Sequence, residues 1–336
     1  MREVVVPAFA KLNLSLLVLG RRGDGYHELR TVFQTIGLAD RLTLRHHPGG
    51  ALRIALDDPL AIPGNLVLKA AHALAEEANL GGTWEIRLDK HIPMGGGMGG
   101  GSTDAAAVLL AMPALAGRAV PMAVLEKLAL SLGSDVPFFL HGGAALGLGR
   151  GEELYPLGTP AGGYVLLVTP GIHVSTPEAF RALARPSVSE LTFTDPVPTL
   201  ETFRALAAAL AATRPGSGWQ QYCQNDFEGP VFLRHPDLAA LRRKLERAGA
   251  GPARMSGSGS TLFGVFPTRG KLREARESLG GAPVVETQFM SRARYRAAWR
   301  RALAEVVRTT QWPPQNPYAS NASSNRRSRP SRSTIR

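Results

Sequence analysis

Cysteine is nearly absent: Cys223 is the only one in 336 residues. That excludes an intramolecular disulfide framework and any multi-cysteine metal site, and makes a reducing compartment the simpler setting. Long apolar runs are missing too. The longest, near residues 105 to 117, is shorter than the ~20 residues needed to span a bilayer, and the opening MREVVVPAF lacks the apolar core of a signal peptide. A cytoplasmic protein with no membrane role is expected. No repeat appears at solenoid periods. An evenly basic surface is also lacking: the formal charge is +12, yet Arg326, Arg327, Arg329, Arg332 and Arg336 crowd into the last eleven residues. The body carries scattered Lys and Arg, as solvated faces do, and no nucleic-acid partner is expected. A positive surface that draws a phosphorylated small molecule has the same composition.

Glycine, by contrast, is concentrated. Six of the nine residues from Gly95 to Thr103 are Gly, within PMGGGMGGGSTD. A chain accepts that entropic cost where side chains would block a close approach to the backbone. Trp84, Ile86 and Leu88 alternate with polar residues as a half-buried strand does, and AAAVLLAMPAL after the loop reads as an apolar helix. Strand, glycine loop and helix start together make an anion cradle of backbone N–H groups, best suited to phosphates. The plainer reading is a flexible turn capped by Ser102, Thr103 or Asp104. The loop lacks the Lys of a Walker pattern, because Gly101 is followed directly by Ser102. A dinucleotide G-x-G-x-x-G overlays Gly95, Gly97 and Gly100, but in so glycine-rich a run the match is nearly automatic, and no acid follows at the end of a second strand.

Around this loop, Val4–Val6 and Leu12–Leu19 read as two strands, and GRRGDGYH as a turn-rich loop. Lys11 and Asn13 fall on one strand face. Lys11 is either a solvated cation or one aimed at phosphate or a catalytic carboxylate. Tyr26 and His27 are either ordinary loop residues or a platform for stacking a base. Leu66, Ala70, Leu74 and Ala78 mark a helix, with Asn65 as its N-cap and Gly81 as its stop. Pro121 starts another helix, through Leu132. Asp135, in GSDVPFF, is a turn or cap residue or, if close to the cradle, a base. Ser175 and Glu178 form a possible capping box before a helix bearing Phe180, a core position by pattern. MSGSGST is a second small-residue loop before a strand, and Tyr295, Trp299, Leu303 and Val306 line one side of a helix over 291–307. A second domain is expected to begin near Gly158, giving units 1–157 and 158–308, and the Ser, Asn, Pro and Arg composition beyond them marks a disordered basic tail, 309–336.

With AKLNLSLLVLGRRGDGYHELRTVFQTI, GNLVLKAA, PMGGGMGGGSTDAA, GSDVPFF, NDFE and MSGSGSTLFGVF in this order, residues 3 to 297 resemble the GHMP small-molecule kinases. The resemblance implies an α+β, two-domain fold: a ribosomal-protein-S5-like N-terminal domain that binds ATP and a ferredoxin-like C-terminal domain, with the site in the cleft between them. It implies Asp135 as catalytic base and Lys11 as its partner. ATP would lie against Pro93, Met94, Gly95, Gly96, Gly97, Met98, Gly99, Gly100, Gly101, Ser102 and Thr103, with Asn65 near the adenosine. The substrate, a small alcohol carrying a cytidine diphosphate group, would meet Asn13, with Tyr26 and Phe180 sandwiching cytosine and His27 reading its edge. Gly96, Met98 and Thr103 stand where Ala, Leu and Ser are usual, exchanges that preserve a backbone cradle. Mg²⁺ is expected with ATP, with no protein ligand identified. The oligomeric state stays open between monomer and weak dimer.

Overall fold

The computed structural model describes residues 1–160, 163–188, 198–211, 218–307 and 311–314. Two long antiparallel strands, β1 (Arg2–Arg21) and β2 (His27–His47), open the fold. The expected pair of strands at Val4–Val6 and Leu12–Leu19 is therefore one strand. Pro7 does not break it because β1 pairs only with β2 in its sheet, so a missing N–H on its free side costs no ladder bond. The sheet is completed by β3 (Arg53–Asp57), β4 (Thr83–Asp89), β5 (Ala144–Leu148) and β6 (Glu153–Leu157) in the order β3-β4-β2-β5-β6. The parallel pairing of β3 with β4 is bridged by α1 (Leu66–Glu77). That helix stops at Ala78, earlier than the Gly81 expected, because Asn79 takes the left-handed position at φ 48°.

Three further helices follow: α2 (Gly100–Ala116), α3 (Met122–Leu132) and α4 (Val136–His141). Every residue of α2 from Thr103 to Leu115 is buried. It lies in the first core between α1, α4 and the sheet, packed through small Ala faces and larger Leu and Met side chains. Truncating one of its buried leucines to Ala would cost about 2–5 kcal/mol.

The second sheet is antiparallel throughout, made of β7 (Tyr164–Val168), β8 (Ala253–Met255), β9 (Leu262–Phe266) and β10 (Val284–Gln288) in the order β10-β7-β9-β8. After the exposed Tyr164, strands β7 and β9 are apolar throughout because both faces are covered. Val165, Leu167, Phe263 and Val265 face Leu12, Leu14 and Leu17 of β1. Leu166, Val168, Leu262 and Phe266 face the other way, toward residues of α7 (Glu228–Arg234), α8 (Pro236–Arg247) and α9 (Arg269–Ser278). Before these helices come α5 (Thr176–Leu183) and α6 (Pro198–Ala211). The capping box expected at α5 does not form. Ser175 makes no capping bond, while the Thr176 hydroxyl pairs with Ser258 and Glu178 faces Arg234.

The last helix, α10 (Arg292–Ala302), is shorter than the 291–307 expected and is capped by the Ser291 hydroxyl, which accepts from the Arg294 N–H. It leaves the second sheet and returns to the first core, where Tyr295, Trp299, Leu303 and Val307 are buried. Of the tail expected at 309–336, all but residues 311–314 lie outside the described residues, and Trp312 packs against this same core.

Candidate active site

The glycine loop joins β4 to α2 as its residue pattern requires. Gly95, Gly97 and Gly99 take left-handed φ values of 68°, 75° and 72°, alternating with residues on the ordinary side. Each is a position where a side chain is strained. At Gly97 space also forbids one: a Cβ would lie 2.1 Å from the Ser256 carbonyl oxygen. Gly99 caps α2 without any side-chain bond, and the Thr103 N–H bonds back to the Gly99 carbonyl at 2.9 Å. The N–H groups of Gly100, Gly101 and Ser102 precede that first helical bond, and the positive end of the α2 dipole lies among them.

The second glycine loop, between β8 and β9, does not form a separate cradle; it buttresses the first. The Ser256 hydroxyl donates to the Gly97 carbonyl at 3.0 Å, and the Thr261 N–H donates to that of Gly96 at 3.3 Å. The NDFE run holds this buttress in place. Asn225 donates to the Met255 and Gly257 carbonyls, Glu228 accepts the Met255 N–H, and Asp226 accepts from Val18 of β1. On the far side of the glycine loop, Lys90 is buried between Asp40 and Asp104, which lie within hydrogen-bonding reach of its ammonium. Burial, with Asp40 nearby, raises the Asp104 carboxyl to about 7 despite Lys90, while the two carboxylates push Lys90 upward.

Where the loop meets β1, a buried polar relay begins. Lys11 is 4% exposed, yet its ammonium donates to Asn13 Oδ1 at 2.6 Å and faces Asp135 Oδ2 at 3.2 Å. Asn13 passes the chain on to the Thr31 hydroxyl at 2.8 Å, and Thr31 donates to the Ser15 carbonyl. Irregularities in the β1–β2 register between Phe9 and Lys11 and between Asn13 and Ser15 bracket the two polar residues. Asp135 arrives from the opposite direction, at the N-cap of α4.

These groups open onto one cavity of about 930 Å³. One wall carries Gly97, Gly99 and Ser102, and Lys11, Asn13 and Asp135 sit at the junction. Another part of the lining carries Tyr26, His27 and Phe180, together with Arg21, Arg150, Arg181 and Arg185. His27 stacks on Phe180 with centroids 4.5 Å apart, and Phe180 meets Phe227 edge-on. The Arg150 guanidinium lies over the Tyr26 ring at 4.5 Å. Burial, and secondarily the nearby Arg21, lowers His27 below its ordinary value. A neutral imidazole offers one donor and one acceptor, the pair needed to read a base edge.

Two family profiles match the chain: the GHMP kinases N terminal domain over residues 65–143 and the GHMP kinases C terminal over residues 199–284. A 4-diphosphocytidyl-2-C-methyl-D-erythritol kinase of Solibacter usitatus (strain Ellin6076) is 48% identical, over 94% of this chain and 98% of that protein. The chain belongs to the 4-diphosphocytidyl-2-C-methyl-D-erythritol kinase family. A crystal structure of 4-(cytidine 5'-diphospho)-2C-methyl-D-erythritol kinase overlays with a TM-score of 0.69 at 37% identity, covering 85% of this chain and 98% of that one. A homoserine kinase from Cytophaga hutchinsonii ATCC 33406 shares the fold alone, at TM-score 0.66 and 18% identity, covering 87% of this chain and 96% of its own.

Within this kinase family fold, the residues expected from sequence separate into two groups. Lys11, Asn13, Tyr26, His27, Gly97, Gly99, Ser102, Asp135 and Phe180 converge on the cavity. Pro93, Met94, Gly95, Gly96, Met98, Gly100, Gly101 and Thr103 shape the loop from outside the lining; Met98 and Thr103 are buried beneath it and Met94 is exposed. Asn65 also lies off the lining, where its amide caps α1 through the Val67 N–H and donates to Asp58. Phe180 stacks on His27, and Tyr26 lines the same cavity beneath the Arg150 guanidinium. Sequence reading missed the four arginines and the Thr176–Ser258 pair. Arginine beside a turn reads as solvated, and only their convergence from three separate segments distinguishes these.

Proposed function

We propose that this chain phosphorylates the 2-hydroxyl of 4-diphosphocytidyl-2-C-methyl-D-erythritol with ATP, a step of the non-mevalonate isoprenoid precursor pathway. The observation that carries the reading is the Lys11–Asp135 pair, 3.2 Å apart, at the junction between the glycine loop and the aromatic, arginine-bearing wall. Phosphoryl transfer needs alignment and charge compensation more than covalent help from the protein. Asp135 accepts the hydroxyl proton as the substrate oxygen bonds to the γ-phosphorus, and the bond to the β-phosphate oxygen breaks to release ADP. Lys11 orients the carboxylate and offsets charge, and Asn13 holds Lys11 in place. The loop from Pro93 to Thr103 cradles the ATP phosphates, with Asn65 beside the adenosine. Tyr26, His27 and Phe180 take the cytosine, and the arginines compensate the substrate diphosphate.

Magnesium belongs to the same reading. Among the described residues no group of three His, Cys, Asp or Glu could hold a metal. Ser102, beside the glycine loop in the cavity lining, would supply one oxygen to an ion whose other ligands are phosphate and water. Bound there, Mg²⁺ would neutralise charge on the transferring group. The proposed N-terminal unit, 1–157, then presents ATP and the C-terminal unit, 158–308, contributes Phe180, with α10 serving the first unit. A cytoplasmic location completes the proposal. Among the described residues, no helix is long and apolar enough to cross a membrane.

Incubation with ATP, Mg²⁺ and 4-diphosphocytidyl-2-C-methyl-D-erythritol tests the reading. ADP and a 2-phosphorylated product in equal amounts are expected, with little turnover of homoserine or mevalonate. Turnover of either of those alcohols without turnover of the cytidine compound would overturn it.

A further inference from the structure

The helix that Asp135 precedes as N-cap is too short to hold itself. Six residues form fewer than two turns, and the last carbonyls of any helix have no partner within it. In α4 those carbonyls are taken by side chains from the far end of the chain. Tyr295 Oη donates to the Phe139 carbonyl, and Trp312 Nε1 donates to that of Leu140 at 2.9 Å. Arg292 reaches the Gly142 carbonyl at 3.1 Å and the Ala144 carbonyl at 2.8 Å. The fit leaves no slack. A Cβ on Gly142, which has φ 61°, would lie 2.4 Å from the Tyr295 ring. Trp312 is itself held edge-on against Tyr295 at 6.0 Å and beneath the Arg296 guanidinium at 5.2 Å.

We propose that Arg292, Tyr295 and Trp312 form a clamp that fixes α4 and thereby aims Asp135 at Lys11 and the acceptor hydroxyl. They are positioning residues, because each touches α4 or the turn after it and none lines the cavity. The proposal rests on reading Asp135 as the base. The Asp135 carboxylate is 35% exposed and is paired with Lys11, so its direction depends on the backbone that carries it. A displacement of about 1 Å at a reacting group can cost on the order of 10²-fold in rate, and a short helix released at one end has that freedom.

Trp312→Phe and Tyr295→Phe each delete one donor and keep an apolar ring in place. For each, kcat, the KM for ATP, the KM for the cytidine substrate and the thermal midpoint are measured, alone and combined with Asp135→Asn. The expected result is a fall in kcat of about tenfold, both KM values within about twofold of the parent, and no further loss in the Asp135→Asn background. An unchanged kcat in folded Trp312→Phe overturns the clamp. So does a KM that rises as kcat falls, or an equal loss added to Asp135→Asn. Should Tyr295→Phe fail to fold, Trp312→Phe at the rim of the core still decides. Full turnover by Asp135→Asn alone would reject the base assignment, and it is read separately from either clamp variant.

Discussion

The two walls of the cavity offer a ligand opposite things. The glycine-loop wall presents backbone: alternate left-handed glycines, a helix start without a side-chain cap, and a second loop pressed so close that Gly97 has no room for a methyl group. The other wall presents side chains, three rings and four guanidinium groups carried by the ends of β1 and β2, by loops and by α5. A backbone cradle recognises phosphate in any nucleotide, because every N–H is alike. Rings and guanidinium groups discriminate, because each has a shape and a place. In the proposed reaction the first wall takes what all ATP-dependent kinases share, and the second takes what distinguishes this substrate.

Substitutions can break that division one side at a time. The largest effect falls at the junction. Asp135→Asn should lower turnover by about 10²–10⁴-fold while ATP binding, measured by calorimetry, stays near the parent value. Gly97→Ala attacks the backbone wall. Its methyl must displace the Ser256 carbonyl, at about 1–3 kcal/mol, and ATP should bind about tenfold more weakly. The KM for the cytidine substrate should hardly move. Tyr26→Ala tests the opposite wall, raising the KM for the cytidine substrate several-fold, by about the worth of one stacking contact, with the ATP constants unchanged. Equal shifts for both substrates in either variant would dissolve the contrast between the walls.

The smallest expected effect sharpens the comparison through pH. Asp104, raised to about 7 by burial beside Asp40, binds its proton more readily in the folded chain than in the unfolded one. Stability from this group is therefore present below its ordinary value of 3.8 and is lost as pH rises toward about 7. Asp104→Asn should flatten the decline of the thermal midpoint across that window. An unchanged pH slope would mean that Lys90 keeps both carboxylates ionised.

How much of this was legible follows the same division. A run of glycines announces its conformational demand in one dimension, and the loop appeared where strand, loop and helix start were expected. Alternation along β1 likewise put Lys11 and Asn13 on one face. The capping box at Ser175 was a local pattern overridden by a distant hydroxyl, since Thr176 found Ser258. Asp135 could be recognised as facing Lys11 only through family resemblance, because nothing local in GSDVPFF points across the cleft. The arginines were illegible for a related reason: a guanidinium beside a turn looks the same in the letters whether it meets water or lines a cavity.

Strand β1 has one more consequence. In its first half Val4, Val6, Ala8 and Phe9 belong to the core around α2, while Leu12, Leu14 and Leu17 belong to the core beneath the second sheet, and Leu16 and Val18 reach a third. A single twenty-residue segment is thus a shared beam between both halves. No cut between the halves leaves each with its own walls, so the chain should melt in one cooperative transition and should resist exchange of either half as an independent module.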